Sequence, residues 1–218
     1  MQILSSGKPE TIDAEALQMR LQPYQRVHID IGTGDGRNIY KAALQDPDTF
    51  FIGIDPVREN MLEIAKKSAK KPAKGGAANM LLVIASAEAL PPELSGIADS
   101  VSVYFPWGSL LECIIKPVEE TLAKITGLMK PGAAFTFITT YSDSYEEGEM
   151  QRRGLPQLSL AYFQDEAYVS RLRALPLIVT ECTEYDNEFV KQFNSLWAKR
   201  LAFGRKRAFY RVSGHFEG

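Results

Sequence analysis

Short apolar runs alternate with amphipathic segments along most of the chain, and charged or glycine- and proline-containing stretches separate them. Apolar runs of this length are typical of buried strands, whereas apolar positions three and four residues apart are typical of helices that cover a sheet. The predicted strands are 27–31, 50–54, 80–85, 100–105, 133–139, 178–185 and 208–212. The predicted helices are 37–45, 57–71, 117–129, 159–175 and 188–203. This alternation predicts the α/β class, with a mainly parallel sheet.

Both ends of the chain depart from this alternation. Residues 1–4 and 11–12 flank a Ser-Ser-Gly-Lys-Pro turn and predict a small hairpin, after which Asp13 can cap a helix. The helix predicted at 188–203 interrupts the last two strands, so the final strand is expected to run antiparallel. We interpret 1–218 as a single domain with an N-terminal extension at 1–24 and substrate-side insertions at 141–160 and 186–206.

A glycine-rich turn follows the first core strand. The motif Asp-x-Gly-x-Gly-x-Gly at 30–36 precedes a helix, and Asp55 follows the next strand. In an open parallel sheet, such glycines let the backbone approach a nucleotide, and the second acid can bind two ribose hydroxyls. The spacing of a dinucleotide site would need glycine at position 37, where the chain has Arg37. A purely structural loop is the other interpretation, and the strand context with the two acids favours a nucleotide site.

Candidate ligand-binding residues also follow the remaining predicted strands. They are Ala87 with Glu88, Phe105 with Pro106 and Trp107, and Thr140. The carboxyl ends of parallel strands meet at the edge where ligands bind in such sheets. Glu88 is equally well explained as a surface acid before a proline turn. Trp107 lies on a turn stiffened by proline and glycine, which suits an aromatic surface for a nucleobase, and a partly buried core tryptophan is the alternative.

The near-neutral net charge of −2 conceals two basic segments. Residues 58–74 contain six basic and two acidic side chains, a pattern that a solvated helix face also explains. Residues 199–211 contain six basic side chains and no acid, and aromatic residues including Trp197 and Phe203 lie within or beside them. Cations interleaved with aromatics favour a surface that binds phosphates and stacks on bases. Trp197 could alternatively belong to a packed helix face.

Other classes of protein are disfavoured. The apolar runs are too short to cross a bilayer, and the N-terminus lacks the apolar stretch of a signal peptide, so no membrane association and a cytoplasmic location are expected. The two histidines and two cysteines do not have the spacing of metal ligands, so no metal site is predicted.

The motif at 30–36 resembles motif I of the class I S-adenosylmethionine (SAM) methyltransferases. Phe105-Pro106-Trp107-Gly108, Tyr-Ser-Asp-Ser-Tyr-Glu-Glu at 141–147 and the segment 188–207 closely resemble the 16S rRNA (adenine(1408)-N1) methyltransferases of aminoglycoside resistance, in the form acquired by pathogens. The resemblance implies a Rossmann-like class I fold and SAM-dependent methylation of N1 of one decoding-site adenine. It also implies that the substrate is the assembled 30S subunit, and the protein is expected to be a monomer.

The resemblance also implies residue roles. The SAM contacts would be Gly32, Asn38, Asp55, Ala87, Glu88, Tyr104, Phe105, Pro106, Trp107, Gly108, Ser109 and Ser195, with Asp30 organising the motif I turn. Trp107 and Trp197 would sandwich the flipped adenine, with Phe105 and Pro106 in the same catalytic turn. The contacts to rRNA would be Lys66, Lys67, Lys70, Lys71, Arg153, Arg200, Arg205, Arg207 and Glu146. Position 109 is serine, whereas the resemblance implies threonine there. Serine also carries a hydroxyl group, so the implied role is kept.

Two other functions remain open at this point. A tRNA guanine-N7 methyltransferase has a similar Phe-Pro-x-Pro-Trp turn, although the second proline is missing here. A non-catalytic RNA-binding module that responds to SAM or a nucleotide is the alternative outside enzymes.

Overall fold

A mixed β-sheet forms the centre of the fold. The computed structural model describes residues 1–141 and 146–218 with their side chains and residues 143–145 by their backbone, and the sheet has nine strands within these bounds. The strands are β1 (Gln2–Ser5), β2 (Lys8–Thr11), β3 (Arg26–Ile31), β4 (Thr49–Asp55), β5 (Met80–Ile84), β6 (Ala98–Tyr104), β7 (Met129–Thr139), β8 (Leu177–Tyr185) and β9 (Phe209–Phe216). Their order is β2-β1-β5-β4-β3-β6-β7-β9-β8.

The five strands from β3 to β7 are parallel, and β9 pairs antiparallel with both β7 and β8. This confirms the predicted α/β class and the antiparallel strand at the C-terminal end. The helices are α1 (Ala14–Leu21), α2 (Arg37–Gln45), α3 (Arg58–Ser68), α4 (Gly108–Ile115), α5 (Glu119–Thr126), α6 (Asp143–Arg153), α7 (Leu160–Gln164), α8 (Glu166–Arg173), α9 (Asn187–Val190) and α10 (Leu196–Ala202).

Both faces of the central strands are buried, which explains why their sequences are apolar at consecutive positions. In β4, Phe50 and Ile52 belong to one hydrophobic cluster, whereas Phe51, between them, belongs to a second cluster that contains Ile39 and Met61. Burial of each such side chain stabilises the fold by roughly 1.5–3 kcal/mol. The sheet is therefore a rigid support for the turns at its carboxyl edge.

The predicted N-terminal hairpin is present, but its bounds differ from the prediction. β1 and β2 are joined at Ser6 and Gly7, whose φ angles are 52° and 82°. Ile3 of β1 also pairs antiparallel with Val83 of β5, so the hairpin extends the edge of the sheet. The second arm begins at Lys8 because two residues in the left-handed region suffice to reverse the chain.

Four predicted helices have the wrong bounds. The helix predicted at 117–129 forms only α5 at 119–126, and Met129 already belongs to β7. The segment 188–203 forms α9 and α10 as separate helices, because the Ser195 side chain accepts a hydrogen bond from the Ala198 N–H and starts a new helix. The segment 159–175 is likewise divided at Asp165, whose carboxylate caps α8 through the Ala167 N–H. α3 ends at Ser68, so Lys70 and Lys71 follow the helix. Two further helices, α4 and α6, were not predicted.

The strand order reverses at β3, which has β4 on one side and β6 on the other. Crossovers leave this point in opposite directions, so a crevice opens beyond the carboxyl ends of the two strands, where open α/β sheets bind ligands. Of the helices in the part of the chain that the structure describes, none combines the length and apolar character needed to cross a membrane.

Candidate functional site

A cleft of about 780 Å³ occupies this crevice. The residues predicted to contact a cofactor that line it are Asp30, Gly32, Asn38, Asp55, Ala87, Glu88, Tyr104, Phe105, Pro106, Trp107, Ser109 and Ser195. Gly108 is the predicted contact that does not line the cleft. Its φ of +64° instead lets the chain turn from Trp107 into α4.

The motif I turn lies close to β4. The backbone N–H groups of Gly32 and Thr33 donate to the Ile54 carbonyl at 2.9 and 3.0 Å. Gly32 has a φ of +73°, and a Cβ at this position would lie 2.9 Å from the Leu110 side chain. Glycine is therefore required here both by backbone conformation and by space.

Asp55, at the end of β4, carries a carboxylate held by two backbone groups. One oxygen accepts from the Gly34 N–H at 2.9 Å, and the other accepts from the Val57 N–H at 2.9 Å. Burial raises the pKa of Asp55, and these two hydrogen bonds oppose the increase. Each carboxylate oxygen has a second lone pair, so the fixed side chain can accept hydroxyl groups from a ligand in the cleft.

Asp30 is buried at the end of β3 and belongs to a chain of hydrogen bonds across β3 and β6. The Ser102 hydroxyl donates to its Oδ1 at 2.6 Å, and His28 Nε2 lies 3.1 Å from the same hydroxyl oxygen. His28 Nδ1 lies 2.8 Å from the Ser100 hydroxyl. Because Ser102 uses its single hydrogen on Asp30, His28 Nε2 must be the donor to Ser102 and Nδ1 the acceptor from Ser100.

The pKa values of this chain of hydrogen bonds are shifted by burial. Burial raises the pKa of Asp30 to about 6, and the hydrogen bond from Ser102 opposes this increase. Burial lowers the pKa of His28 to about 4, which keeps the ring neutral at pH 7. The Asp30 carboxylate is thus ionised at pH 7 but sensitive to mild acid.

Glu88 and Ser109 meet across the cleft wall. The Ser109 hydroxyl donates to Glu88 Oε1 at 2.6 Å and is the largest cause of the lowered pKa of Glu88. Lys124 Nζ donates to the Glu88 backbone carbonyl at 2.9 Å. Glu88 is exposed and ionised beside the cleft, and its cofactor role stays a prediction.

Trp107 and Trp197 face each other at the cleft. Their ring centroids are 6.3 Å apart with an interplanar angle of 69°, and the two residues are 47% and 42% exposed. Neither is a core residue, so the alternative interpretation of both as packed tryptophans is wrong. Large aromatic rings left half exposed in pairs on concave surfaces are typical of binding sites.

Phe105 supports the Trp107 turn from below. It is buried, and its ring packs edge-on against Phe193 at 5.0 Å and Phe209 at 5.8 Å. Its φ of +51° lies in the left-handed region, which costs a non-glycine residue about 1–2 kcal/mol. Strained residues of this kind concentrate at functional sites, where the surrounding packing enforces them.

The segment that carries Trp197 is attached to the motif I turn. Asp35 Oδ2 accepts the Leu196 N–H at 2.8 Å, and Asn38 Oδ1 accepts the Asn194 N–H at 3.4 Å. Asp35 lines the cleft and was not predicted from the sequence. The only sequence signal was an acid just before the helix that begins at Arg37, which by itself indicates a local turn.

The predicted RNA-binding lysines are exposed. Lys66 and Lys67 lie on the last turn of α3, and Lys70 and Lys71 follow it. Lys67 Nζ also lies 4.8 Å from the centre of the Tyr40 ring. Four exposed cations within six positions form a concentrated positive surface, which we name the α3 basic surface.

The predicted RNA-binding arginines have different surroundings. Arg200 lines the mouth of the cleft, and Arg205 is exposed. Arg153 contacts the carboxylates of Glu149 and Glu112, the second at 3.1 Å. Arg153 would have to exchange these partners to bind a phosphate, whereas Arg200 already faces the cleft.

Glu146 and Arg207 connect the two predicted insertions. Arg207 Nη1 donates to Glu146 Oε1 at 3.0 Å, and both side chains are largely buried. α6 is non-helical at Glu146, where φ is −118°. In the motif at 141–147, residue 142 and the side chains of 143–145 lie outside the described residues, so the structure does not place that part of the prediction.

Comparison with known proteins decides the family. The family model described as NpmA, 16S rRNA (adenine(1408)-N(1))-methyltransferase, matches residues 2–216. The chain belongs to this family. A relative from Escherichia coli named 16S rRNA (adenine(1408)-N(1))-methyltransferase is 57% identical over 99% of this chain and 98% of its own length. A relative of the same name from Streptoalloteichus tenebrarius is 34% identical over 91% of this chain and 90% of its own length.

Solved structures agree with this family assignment. A mutant of the 16S rRNA (adenine(1408)-N(1))-methyltransferase from Catenulisporales acidiphilia, solved with its cosubstrate SAM, superposes with a TM-score of 0.90 at 29% identity. It covers 100% of this chain and 97% of its own length. The predicted class I methyltransferase fold is confirmed, and the family model that matches is that of the adenine(1408)-N(1) enzymes.

Proposed function

We propose that this protein transfers a methyl group from SAM to N1 of adenine 1408 of 16S rRNA, within the assembled 30S subunit, and thereby confers aminoglycoside resistance. The observation that carries the proposal is the pair of half-exposed tryptophans at the mouth of a nucleotide-sized cleft, in a chain that belongs to the adenine(1408)-N1 methyltransferase family. The tryptophan pair supplies a place for a base beside the cofactor cleft. Membership in the family indicates that this base is adenine 1408.

The residues of the cleft fit SAM. Asp55 offers a fixed carboxylate to the ribose hydroxyls, and the glycines of the motif I turn leave room for a ligand against the backbone. Glu88, held by Ser109, is an acceptor for an amino group on the adenine ring. Asp30 and Asp55 place two carboxylates beside a ligand that carries positive charge, which complements it electrostatically.

When bound, SAM supplies an activated methyl group that the in-plane lone pair of adenine N1 can accept without prior loss of a proton. The protein therefore needs no general base, and its contribution is to hold the two reactants in line. The rigid sheet fixes Asp30 and Asp55 beside the cofactor, and the turn at 104–109 fixes Trp107 beside the target base.

Trp107 and Trp197 receive the base. N1 of a paired or stacked adenine cannot be reached, so the nucleotide must leave its stack, at a cost of about a few kcal/mol that aromatic stacking offsets. Methylation gives the ring positive charge, and indole faces stabilise a cation by roughly 0.5–2 kcal/mol more than a neutral ring. This difference favours the transition state over the bound substrate.

Contacts to the ribosome are assigned to the cationic surfaces. Among the described residues, the α3 basic surface and Arg200 form no ion pair with a carboxylate, whereas Arg153 and Arg207 would exchange carboxylate partners to bind a phosphate. A phosphate-binding surface of this extent suits a large folded RNA such as the 30S subunit. The enzyme would act as a monomer, and a ribosomal substrate would place it in the cytoplasm.

Resistance follows from the product. N1-methyladenine has lost a hydrogen-bond acceptor, gained a methyl group and acquired positive charge. Each change opposes binding of a polycationic aminoglycoside at the decoding site.

Methyl transfer from labelled SAM to isolated ribosomal particles tests the proposal. We expect incorporation of one methyl group per 30S subunit, and little into naked 16S rRNA, because the adenine is presented in the required shape only in the subunit. Binding of SAM and of 30S subunits without transfer would favour the non-catalytic RNA-binding module. Equal transfer to naked rRNA would contradict the 30S requirement alone.

A further inference from the structure

Asp35 connects the starts of two helices that are distant in sequence. Its Oδ1 accepts the N–H of Arg37, the first residue of α2, at 3.1 Å. Its Oδ2 accepts the N–H of Leu196, the first residue of α10, at 2.8 Å. One carboxylate therefore satisfies the first backbone donor of both helices, and an anion at a helix start is favoured by the helix dipole.

The two helices have different roles in the cleft. α2 follows the motif I turn on the cofactor side, whereas α10 carries Trp197 at its second position. Leu196 is half exposed, so apolar packing of its side chain contributes little to holding the start of α10 in place. A second contact between the segments, from the Asn194 N–H to Asn38 Oδ1, is long at 3.4 Å. The Asp35 contact is therefore the stronger of these two links.

Local capping alone does not explain where α10 lies. The Ser195 side chain accepts a hydrogen bond from the Ala198 N–H at 3.0 Å, so a residue of the same segment already caps the start of α10. The Leu196 N–H instead points across the cleft to a carboxylate 161 positions earlier in the chain. This contact fixes the direction of the helix relative to the cofactor half, in addition to stabilising it as a helix.

We infer that Asp35 is a positioning residue for methyl transfer, which holds Trp197 at the distance from the cofactor half that the target base requires. The inference rests on the proposed function, since it assigns Trp197 to the base. Displacement of an aligned group by about 1 Å can reduce a rate by about a hundredfold. Removal of this hydrogen bond should therefore reduce turnover far more than cofactor affinity.

Leu196→Pro removes the donor at α10 with little disturbance of the backbone. Leu196 is the first helical position, where proline is well tolerated, and Ser195 has φ −67° and ψ 154°, the conformation favoured before proline. The proline ring occupies the place of the hydrogen, so the Asp35 carboxylate must move away. Leu196→Ala is the matched control, because it also removes the leucine side chain but keeps the N–H.

Four variants test the inference: Asp35→Ala, Asp35→Asn, Leu196→Pro and Leu196→Ala. For Asp35→Ala and Leu196→Pro, we expect kcat on 30S subunits to fall by about tenfold to a hundredfold, with the calorimetric Kd for SAM within about threefold of the wild type. Leu196→Ala should keep most of the activity. Asp35→Asn should recover most of the activity that Asp35→Ala removes, because its amide oxygen can accept the Leu196 N–H.

The double variant Asp35→Ala/Leu196→Pro separates a shared hydrogen bond from two unrelated effects. If loss of the shared hydrogen bond causes both decreases, the kcat of the double variant should lie within about twofold of the kcat of the less active single variant. The second change then has no further interaction to remove. Multiplication of the two decreases would overturn the inference. Asp13→Ala, which removes a similar carboxylate cap from the Ala16 N–H of the peripheral helix α1, should leave kcat unchanged.

Tryptophan fluorescence gives a readout that does not need catalysis. In a Trp107→Phe background, Trp197 is the single tryptophan, and acrylamide should quench it more strongly after Asp35→Ala or Leu196→Pro. Unchanged quenching in both variants would contradict the positioning role even if activity fell. If wild-type protein transferred no methyl group while quenching responded as expected, the proposed function would fail and the role of Asp35 in placing Trp197 would stand.

Discussion

The indole rings of Trp107 and Trp197 stand 6.3 Å apart and nearly perpendicular, at an interplanar angle of 69°. A base stacked between two parallel rings needs their planes about 7–8 Å apart, since each stacked contact takes about 3.5–4 Å. At least one indole must therefore rotate before an adenine can enter. The two rings make an edge-to-face contact with each other, and a base bound at the proposed site would have to separate them.

Truncation of either indole should impair the base site without affecting the cofactor site. For Trp107→Ala and Trp197→Ala we expect methylation of 30S subunits to fall by about tenfold to a hundredfold, since stacking contributes roughly 1–3 kcal/mol per base. The calorimetric Kd for SAM should stay close to that of the wild type. Phenylalanine at either position keeps a smaller ring and should retain more activity. Normal turnover in both alanine variants would refute the sandwich.

Asp55 should be needed for cofactor binding. Asp55→Ala removes a charged acceptor whose hydrogen bonds each contribute about 1.5–3 kcal/mol, so the Kd for SAM should rise by about tenfold to a hundredfold or more. Calorimetry measures this directly. Asp46→Ala is the control, because Asp46 also pairs with protein donors but lies before β4, away from the cleft. A Kd unaffected by Asp55→Ala would remove this residue from the cofactor site.

Mild acid should weaken cofactor binding through Asp30. The ionised carboxylate favours a cationic ligand, and its pKa in the free protein is raised to about 6 by burial, so SAM affinity should decrease as the pH falls through about 6. Ser102→Ala removes the hydrogen bond that opposes this increase. The decrease in affinity should then begin at a higher pH.

Ser100→Ala is the matched control for this pH dependence, because Ser100 contacts the other nitrogen of His28 and not Asp30. Its midpoint should stay near that of the wild type. Calorimetric titrations at several pH values, with far-UV circular dichroism to check folding, measure the midpoints. An identical midpoint in Ser102→Ala and the wild type would show that this hydroxyl does not tune Asp30.

The α3 basic surface should determine the salt dependence of ribosome binding. Lys66→Gln combined with Lys67→Gln removes two charges, so binding to 30S subunits should weaken. The slope of log K against log salt should become shallower by about 0.7–0.9 for each phosphate that is no longer neutralised. Arg26→Gln combined with Lys130→Gln is the control, because it also removes two charges but each side chain already pairs with a carboxylate, Asp46 or Asp99. If both double variants had the wild-type slope, α3 would not lie in the interface.

Periodicity and motif spacing were sufficient for much of this fold. The seven strands β3 to β9, the glycine-rich turn and Asp55 could be placed from local patterns. The five parallel strands gave the clearest signal, because burial of both faces produces continuous apolar runs. The breaks at Asp165 and Ser195 were not predicted, because capping residues inside a long amphipathic segment do not disturb its apolar periodicity. α4 escaped prediction because it begins directly after Trp107, within a segment whose proline and glycine indicate a turn.

The candidate site could be predicted only in part, because local patterns place single residues but do not show contacts between distant segments. Asp30, Asp55 and Trp107 follow strands, so their position at one edge follows from the sheet alone. Trp197 was predicted through its basic surroundings and the family resemblance. Asp35 and Ser102 gave no such signal, because their contacts join segments far apart in the chain, to Leu196 and to Asp30, and only the folded structure brings them together.

Primer extension on methylated ribosomal RNA tests the central claim most directly. Purified 30S subunits are incubated with the protein and SAM, and reverse transcriptase is run along the extracted 16S rRNA, since a methyl group on N1 blocks base pairing. We predict a strong stop immediately 3′ of adenine 1408, which is the stop that methylation of this base causes and which is absent without SAM and greatly reduced with Trp197→Ala. A stop that reports methylation of any other nucleotide, or full-length extension despite saturating protein and SAM, would contradict the account.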